Sequence, residues 1–235
     1  MPQPPPAAAG MTLAEVDTPA LLVDLDAFER NLQRMADFVR TAGVRLRPHS
    51  KTHKSPVIAA RQVALGAVGV CCQKVSEAEV MVAGGIGDVL VSNEVAGAGK
   101  LDRLAALAGR ARIAVCADDA EGVAEIEAAA AKAGTTLDVM VEIDVGGRRC
   151  GTLPGAAAAR LAERVARSEH LRFAGLQAYH GSAQHVREAR ERSAHIARAV
   201  EHVKETLSAL RPASTTRRSA VGALITVACT NSACR

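Results

Sequence analysis

Two histidines and two lysines lie within six positions in the segment from His49 to Lys54. The segment follows a short apolar run and precedes Ser55-Pro56, which is a typical helix start. This places Lys51 in a strand-to-helix connection, where the end of a sheet and nearby cations would both favour its uncharged amine. The uncharged amine is the form that makes a Schiff base. The alternative is a basic loop that faces water, as runs of charge usually do.

Two further polar loops follow apolar runs of strand length. The first carries Arg149 among several glycines, and an arginine in such a loop can hold a phenolate or a carboxylate. The second carries Tyr179, His180 and His185, and histidines are suited to proton transfer. Taken alone, each loop is explained about equally well as a solvated turn at the end of a strand.

Alternating strands and helices must position these three loops. The predicted strands cover residues 20–24, 44–46, 68–71, 88–91, 112–116, 137–143 and 171–177. Helical patterns separate them, which indicates a parallel sheet in an α/β fold. Both a doubly wound sheet and a (β/α)8 TIM barrel fit this alternation. Because all three loops follow strands, and a barrel gathers strand ends around one mouth, we expect the barrel, incomplete with about six to seven βα units.

Composition restricts the function classes. Of the 235 residues, 49% are apolar and only 2% are aromatic, so the core must be aliphatic. The net charge of +4 lies wholly in residues 211–235, because no acidic residue follows Glu205. A neutral body with few aromatic residues argues against nucleic-acid binding. The chain shows neither a signal peptide nor an apolar run of membrane-spanning length, so we expect a soluble, cytoplasmic protein.

The potential metal ligands show no strong metal-binding pattern. His49 and His53 are four residues apart but straddle a loop preceded by Pro48, unlike the helix of a zincin. The cysteine spacing does not match a zinc cluster, and we expect free thiols buried in a reducing compartment. The six cysteines are Cys71, Cys72, Cys116, Cys150, Cys229 and Cys234.

Six stretches together resemble one enzyme family in order along residues 17–210. They run from Thr18 to Asp24, Arg47 to Lys54, Val70 to Glu79, Asp88 to Glu94, Glu142 to Gly151 and Gln177 to Gly181. The motif Arg-Pro-His-x-Lys-Thr-His-Lys is the most specific of them. The stretches resemble the fold type III, alanine racemase-like pyridoxal phosphate enzymes, in the branch of D-threonine aldolase, 3-hydroxy-D-aspartate aldolase and D-serine dehydratase.

The resemblance implies roles for individual residues. Lys51 would form the Schiff base with pyridoxal 5'-phosphate, and Arg149 would lie beside the ring oxygen of the cofactor. Tyr179 and His180 would contact the cofactor, and His185 would join Lys51 as a catalytic residue.

The implied substrates are small β-hydroxy-D-amino acids, which an aldolase of this family cleaves to glycine and an aldehyde. The residues around Cys71-Cys72 look most similar to the aldolases. The alternatives are a dehydratase acting on D-serine or 3-hydroxyaspartate, a homeostasis-type pyridoxal phosphate-binding protein without catalysis, and an inactive truncated fragment.

Two features of the family have no counterpart in this sequence. These are a glycine-rich phosphate-binding loop and a C-terminal β domain, whose residues bind a divalent metal. We therefore expect no family metal ligands in this chain and a weakened homodimer. The expected organisation is a disordered extension over residues 1–16, the cofactor-binding barrel over 17–210 and a non-family tail over 211–235. The abrupt composition of the tail is our reason for the hypothesis that it is a frameshift product.

Overall fold

The computed structural model describes residues 5–210, so the expected tail at 211–235 and the first four residues lie outside it. The chain divides into two compact units after residue 45. In the first unit, Asp24 accepts a hydrogen bond from the Ala27 backbone N–H at 2.8 Å and caps helix α1 (Leu25–Thr41). Within the expected disordered extension, Leu13–Glu15 form a 3₁₀ turn.

The predicted strand over residues 20–24 is wrong. These residues form neither helix nor strand, and the Leu21 side chain is 100% exposed. An apolar run becomes a strand only where a neighbouring strand accepts and donates its backbone hydrogen bonds. Apolar composition indicated the strand, but it could not supply that partner.

The second unit alternates five strands with six helices within the described residues. The strands are β1 (Val70–Cys72), β2 (Asp88–Glu94), β3 (Arg112–Ala117), β4 (Leu137–Glu142) and β5 (Leu171–Gln177). The helices are α2 (Pro56–Ala64), α3 (Val75–Ala83), α4 (Ala98–Leu107), α5 (Ala120–Lys132), α6 (Ala156–Arg167) and α7 (Ala189–Leu210). Among residues 5–210, no helix has both the length and the apolar character needed to cross a bilayer.

The sheet is parallel throughout, and its strands are neighbours in chain order from β1 to β5. Successive side chains on each strand point to opposite faces. Val89, Val115 and Val139 pack with the helices in the large apolar core, whereas Leu90 and Met140 belong to a smaller cluster. A doubly wound sheet reverses its strand order, so this sequential order is that of a barrel wall. The α/β prediction is confirmed.

Residues 44–46 do not form the predicted strand. Leu46 and Pro48 nevertheless lie beside β1, because their carbonyl oxygens accept hydrogen bonds from Val68 N at 2.9 Å and Cys71 N at 2.8 Å. Pro48 has no N–H to donate and therefore interrupts the ladder. The sheet thus has five strands within the described residues, fewer than the six or seven expected.

Alternating charges connect the amino ends of the strands in an ion-pair ladder. Arg47 contacts Asp88 at 2.8 Å, and Arg112 bridges Asp88 at 3.6 Å and Asp138 at 2.7 Å. Arg172 completes the ladder at 2.5 Å from Asp138. Because Asp138 is only 2% exposed, its two arginine partners compensate a charge that burial alone would make costly.

Candidate active site

The carboxyl ends of the strands carry most of the polar groups that could do chemistry. Glu94 ends β2, Asp118 follows β3, Glu142 ends β4 and Tyr179 follows β5. In barrel enzymes the active site lies at this end, while the opposite end contributes to stability. The ion-pair ladder occupies that opposite end, so the two charged groups of residues have separate positions on the sheet.

Lys51 lies in a 3₁₀ turn, Ser50–Thr52, that is anchored to β1. His49 forms a parallel bridge with Cys71, and the buried Ser50 hydroxyl donates to the Cys71 carbonyl oxygen at 2.9 Å. The backbone of this turn is therefore fixed. The Lys51 side chain is exposed, so the expectation that the end of the sheet desolvates its amine is wrong.

His49 is held as a neutral imidazole next to Lys51. Its Nδ1 accepts a hydrogen bond from the Lys51 backbone N–H at 3.2 Å, so Nε2 carries the proton and donates to Ser92 Oγ at 3.3 Å. Burial lowers the pKa of His49 to about 4, and the positive charge of Lys51 acts in the same direction. His49 was not predicted as a site residue, although its position two residues before Lys51 is visible in the sequence.

Arg149 and Tyr179 come together from the loops that follow β4 and β5. The Arg149 guanidinium carbon lies 5.1 Å from the centre of the Tyr179 ring, within the range of a cation–π contact. Glu142 Oε1 lies 3.8 Å from Arg149 Nη2, and Gln184 donates to the Tyr179 hydroxyl at 2.8 Å. Two side chains predicted from separate stretches are therefore neighbours.

The loop that carries Arg149 is shaped by Asp144. One carboxylate oxygen of Asp144 accepts the backbone N–H groups of Gly146 at 2.9 Å and Arg148 at 3.0 Å. Gly151 then approaches so closely that a Cβ there would lie 2.4 Å from Asp144 N. Its φ of +108° is also in the region that favours glycine. The close approach and the positive φ together explain why residue 151 is a glycine.

A cavity of about 430 Å³ opens between the loops after β4 and β5. The predicted site residues Arg149, Tyr179 and His185 line it together, whereas Lys51 and His180 are not among its lining residues. The lining residues are Glu142, Gly147, Arg149, Cys150, Tyr179, Gly181, Ser182, Gln184 and His185.

His180 does not line this cavity and is only 6% exposed. Its Nδ1 is 3.1 Å from Ser182 Oγ, and its ring packs edge-on against His195 at 5.6 Å. Burial lowers the pKa of His180, and the nearby His195 and Arg198 act in the same direction. These contacts give His180 a packing role in supporting the loop of Tyr179.

A group of acidic and thiol side chains next to the cavity was missed in the sequence. Burial, followed by the charge of Glu94, raises the pKa of Glu142 to about 7. Burial and Glu94 likewise raise the pKa of Cys150 to about 11. Cys71, Cys72 and Cys116 are free and buried as predicted, but Cys150 is only half-buried. The signal available in the sequence was the position of these residues relative to the strands. Glu94 and Glu142 lie at or near the ends of predicted strands, and they end the observed strands β2 and β4.

Comparison with known proteins is consistent with this geometry. Residues 23–226 match the model of the alanine racemase N-terminal domain, and the match continues past residue 210, where we expected the domain to end. An alanine racemase from Clostridium difficile superposes with a TM-score of 0.69 at 16% identity, over 89% of this chain and 54% of that one. At that identity the likeness shows the fold alone.

More similar relatives are named as aldolases. A D-threonine aldolase from an Arthrobacter species is 51% identical over 81% of this chain and 50% of its own length. A 3-hydroxy-D-aspartate aldolase from Paracoccus denitrificans is 47% identical over 87% of this chain and 54% of its own length.

Among solved structures, the D-threonine aldolase from Filomicrobium marinum superposes with a TM-score of 0.88 at 58% identity, over 90% of this chain and 57% of that one. The chain therefore spans about half the length of the relatives it matches. The strand order, the strand-end site and these matches show that the chain belongs to the alanine racemase N-terminal domain family of fold type III pyridoxal phosphate enzymes.

Proposed function

We propose that this chain acts as a pyridoxal phosphate-dependent lyase that cleaves β-hydroxy-D-amino acids to glycine and an aldehyde. The observation that carries the proposal is the Arg149–Tyr179 contact at the edge of a cavity, at the same end of the sheet as Lys51. The chain shares 51% sequence identity with a relative named D-threonine aldolase and 47% with one named 3-hydroxy-D-aspartate aldolase, which supports this substrate class.

Several features of the described residues support a fit to the cofactor. The cavity volume of about 430 Å³ falls in the range of small-molecule sites, roughly 300–1,000 Å³. Arg149 offers fixed N–H donors for a ring oxygen, and the Tyr179 ring offers an apolar face. The exposed amine of Lys51 is accessible to an aldehyde. When bound, the cofactor supplies an electron-withdrawing ring that stabilises negative charge on the α-carbon of an amino acid.

The side chains of this chain would hold the cofactor, orient it and accept a proton from the substrate. Lys51 would hold the cofactor aldehyde through its amine, and Arg149 would orient the ring. Gln184, by donating to the Tyr179 hydroxyl, would keep that ring in place. His185 is exposed and lines the cavity, so in its neutral form it would accept the proton of the β-hydroxyl oxygen.

The first experiment measures cofactor binding by the visible absorbance of the purified chain with added pyridoxal phosphate. We expect Lys51→Ala to abolish the absorbance of the bound cofactor. A Lys54→Gln variant is the matched control, because Lys54 is also an exposed lysine of the same segment, and it should retain the signal. Equal signals in both variants would refute the role of Lys51.

The second experiment identifies the reaction. Purified chain with cofactor is incubated with D-threonine or 3-hydroxy-D-aspartate, and aldehyde, glycine, ammonia and 2-oxo acid are measured. Aldehyde and glycine support the lyase that we propose, whereas ammonia and a 2-oxo acid indicate the dehydratase instead. Cofactor binding with no product would contradict the proposal and indicate a binding protein.

A further inference from the structure

Three potential metal ligands from different strand ends meet beside the cavity. Glu94 ends β2, Asp118 follows β3 and Cys150 lies in the loop after β4. One ligand atom from each, two carboxylate oxygens and a thiol sulfur, lie within 4.8 Å of one another. All three residues are half-buried. The sheet therefore brings together donors that are far apart in the sequence.

A second observation is that buried carboxylate oxygens in and next to this group have no hydrogen-bond partner within the described residues. Glu142 is 3% exposed, and its Oε2 atom has no hydrogen-bond partner within the described residues. The buried Oε1 atom of Glu94 is also without a partner in this part of the chain. Buried carboxylate oxygens in this state are costly unless a cation or a donor compensates them.

The neighbouring protein cation compensates only part of this charge. Arg149 Nη2 approaches Glu142 Oε1 at 3.8 Å and leaves Oε2 unpaired. A proton shared between Glu94 and Glu142 would relieve those two carboxyls. The Gly151 backbone N–H holds Asp118 close to Cys150, and a cation, unlike a proton, could bind Glu94, Asp118 and Cys150 at once.

We propose that Glu94, Asp118 and Cys150 bind one divalent cation of the zinc type, with Glu142 adjacent to it. A thiolate ligand favours Zn²⁺, Co²⁺ or Cd²⁺ over Mg²⁺ and Ca²⁺, which prefer oxygen ligands alone. Asp118 is already oriented, because its Oδ2 accepts the Gly151 backbone N–H at 2.9 Å. Hydrogen bonds of this kind fix metal ligands in position.

This site is separate from the metal site that the family resemblance implies. That site belongs to a C-terminal β domain, whereas these three ligands lie on strand ends of the barrel wall. The proposal also does not depend on the proposed lyase activity, because cation binding can be measured without substrate or pyridoxal phosphate. The cation-site proposal could therefore fail without affecting the proposed lyase activity, and the reverse is also true.

The test uses the full chain after removal of metals with a chelator. Zinc binding is measured by calorimetric titration, and Cd²⁺ is added separately to detect the ultraviolet charge-transfer absorption of a cadmium–thiolate bond. We expect one equivalent of Zn²⁺ and a cadmium–thiolate band. Cys150→Ser should abolish the band, and Cys150→Ser and Asp118→Asn should each weaken zinc binding about tenfold or more.

The matched control is Asp119→Asn. It removes the neighbouring carboxylate, and asparagine still caps α5, where Asp119 Oδ1 accepts from Gly122 N at 2.7 Å. This variant should bind zinc like the unmodified chain. Circular dichroism of each variant without metal establishes that it is folded. Absence of zinc binding, or binding that is unchanged in folded Cys150→Ser and Asp118→Asn, would overturn the proposal.

Discussion

Asp138 is the most deeply buried charge of the ion-pair ladder, and replacing it with asparagine tests what the ladder contributes. The carboxylate is 2% exposed and contacts Arg112 at 2.7 Å and Arg172 at 2.5 Å. An asparagine side chain in its place would keep one acceptor oxygen but lose the charge that both guanidiniums share. Since the ladder lies at the amino ends of the strands, the change should lower stability without disturbing the candidate site at the opposite end.

The size of the expected loss of stability depends on how exposed to solvent the two arginine partners of Asp138 are. A hydrogen bond to a charged group contributes about 1.5–3 kcal/mol, whereas an exposed ion pair contributes about 0–1 kcal/mol. The arginine side chains are 55% and 56% exposed, so solvent screens each pair and can take up the guanidiniums once the charge is gone. For the two contacts together we expect a loss of about 2–3 kcal/mol in the free energy of unfolding.

Urea unfolding followed by circular dichroism measures this loss. Asp102→Asn is the matched control, because Asp102 pairs with Lys132 at 2.7 Å at the surface, with side chains 39% and 72% exposed. The control should cost less than about 0.5 kcal/mol. If Asp138→Asn and Asp102→Asn differ by less than about 0.5 kcal/mol, burial does not strengthen the ladder and the reasoning is wrong.

Two further predictions concern His49 and a loop glycine. Because the pKa of His49 falls from 6.5 to about 4 on folding, the unfolded chain binds more protons between these values, and stability should decrease as pH falls through that window. His49→Gln should reduce this slope in urea unfolding, and an unchanged slope would contradict the reasoning. Gly151→Ala should destabilise by about 1–3 kcal/mol more than Gly134→Ala, because both have positive φ but only Gly151 is crowded. Equal melting temperatures for the two alanine variants would contradict this.

Local signals in the sequence were sufficient for most elements of the second unit. The strand over 171–177 was predicted with its observed bounds, and Ser55-Pro56 begins α2 as expected, with Ser55 Oγ accepting from Ile58 N. Such caps and apolar periods depend on residues within a few positions of one another. Caps and apolar periods can therefore be recognised in the sequence without knowledge of the fold.

Strand pairing could not be predicted from local sequence in the same way. Residues 20–24 and 44–46 have the composition of strands, but a strand also needs a partner for its backbone groups. Pro48 accepts a hydrogen bond from Cys71 N but has no N–H to donate to β1, and this matters only because of the chain segment that lies next to it. Apolar composition alone gave two strands too many.

The sequence by itself determined the alternation of strands and helices, and it selected Lys51, Arg149 and Tyr179 as candidate residues in loops that follow predicted strands. The tertiary structure decided which of them meet. It brings Arg149 over Tyr179, leaves Lys51 exposed and gathers Glu94, Asp118 and Cys150 from three strand ends. The physical reason is that residues far apart in sequence become neighbours only through the order and register of the strands, which no local pattern encodes.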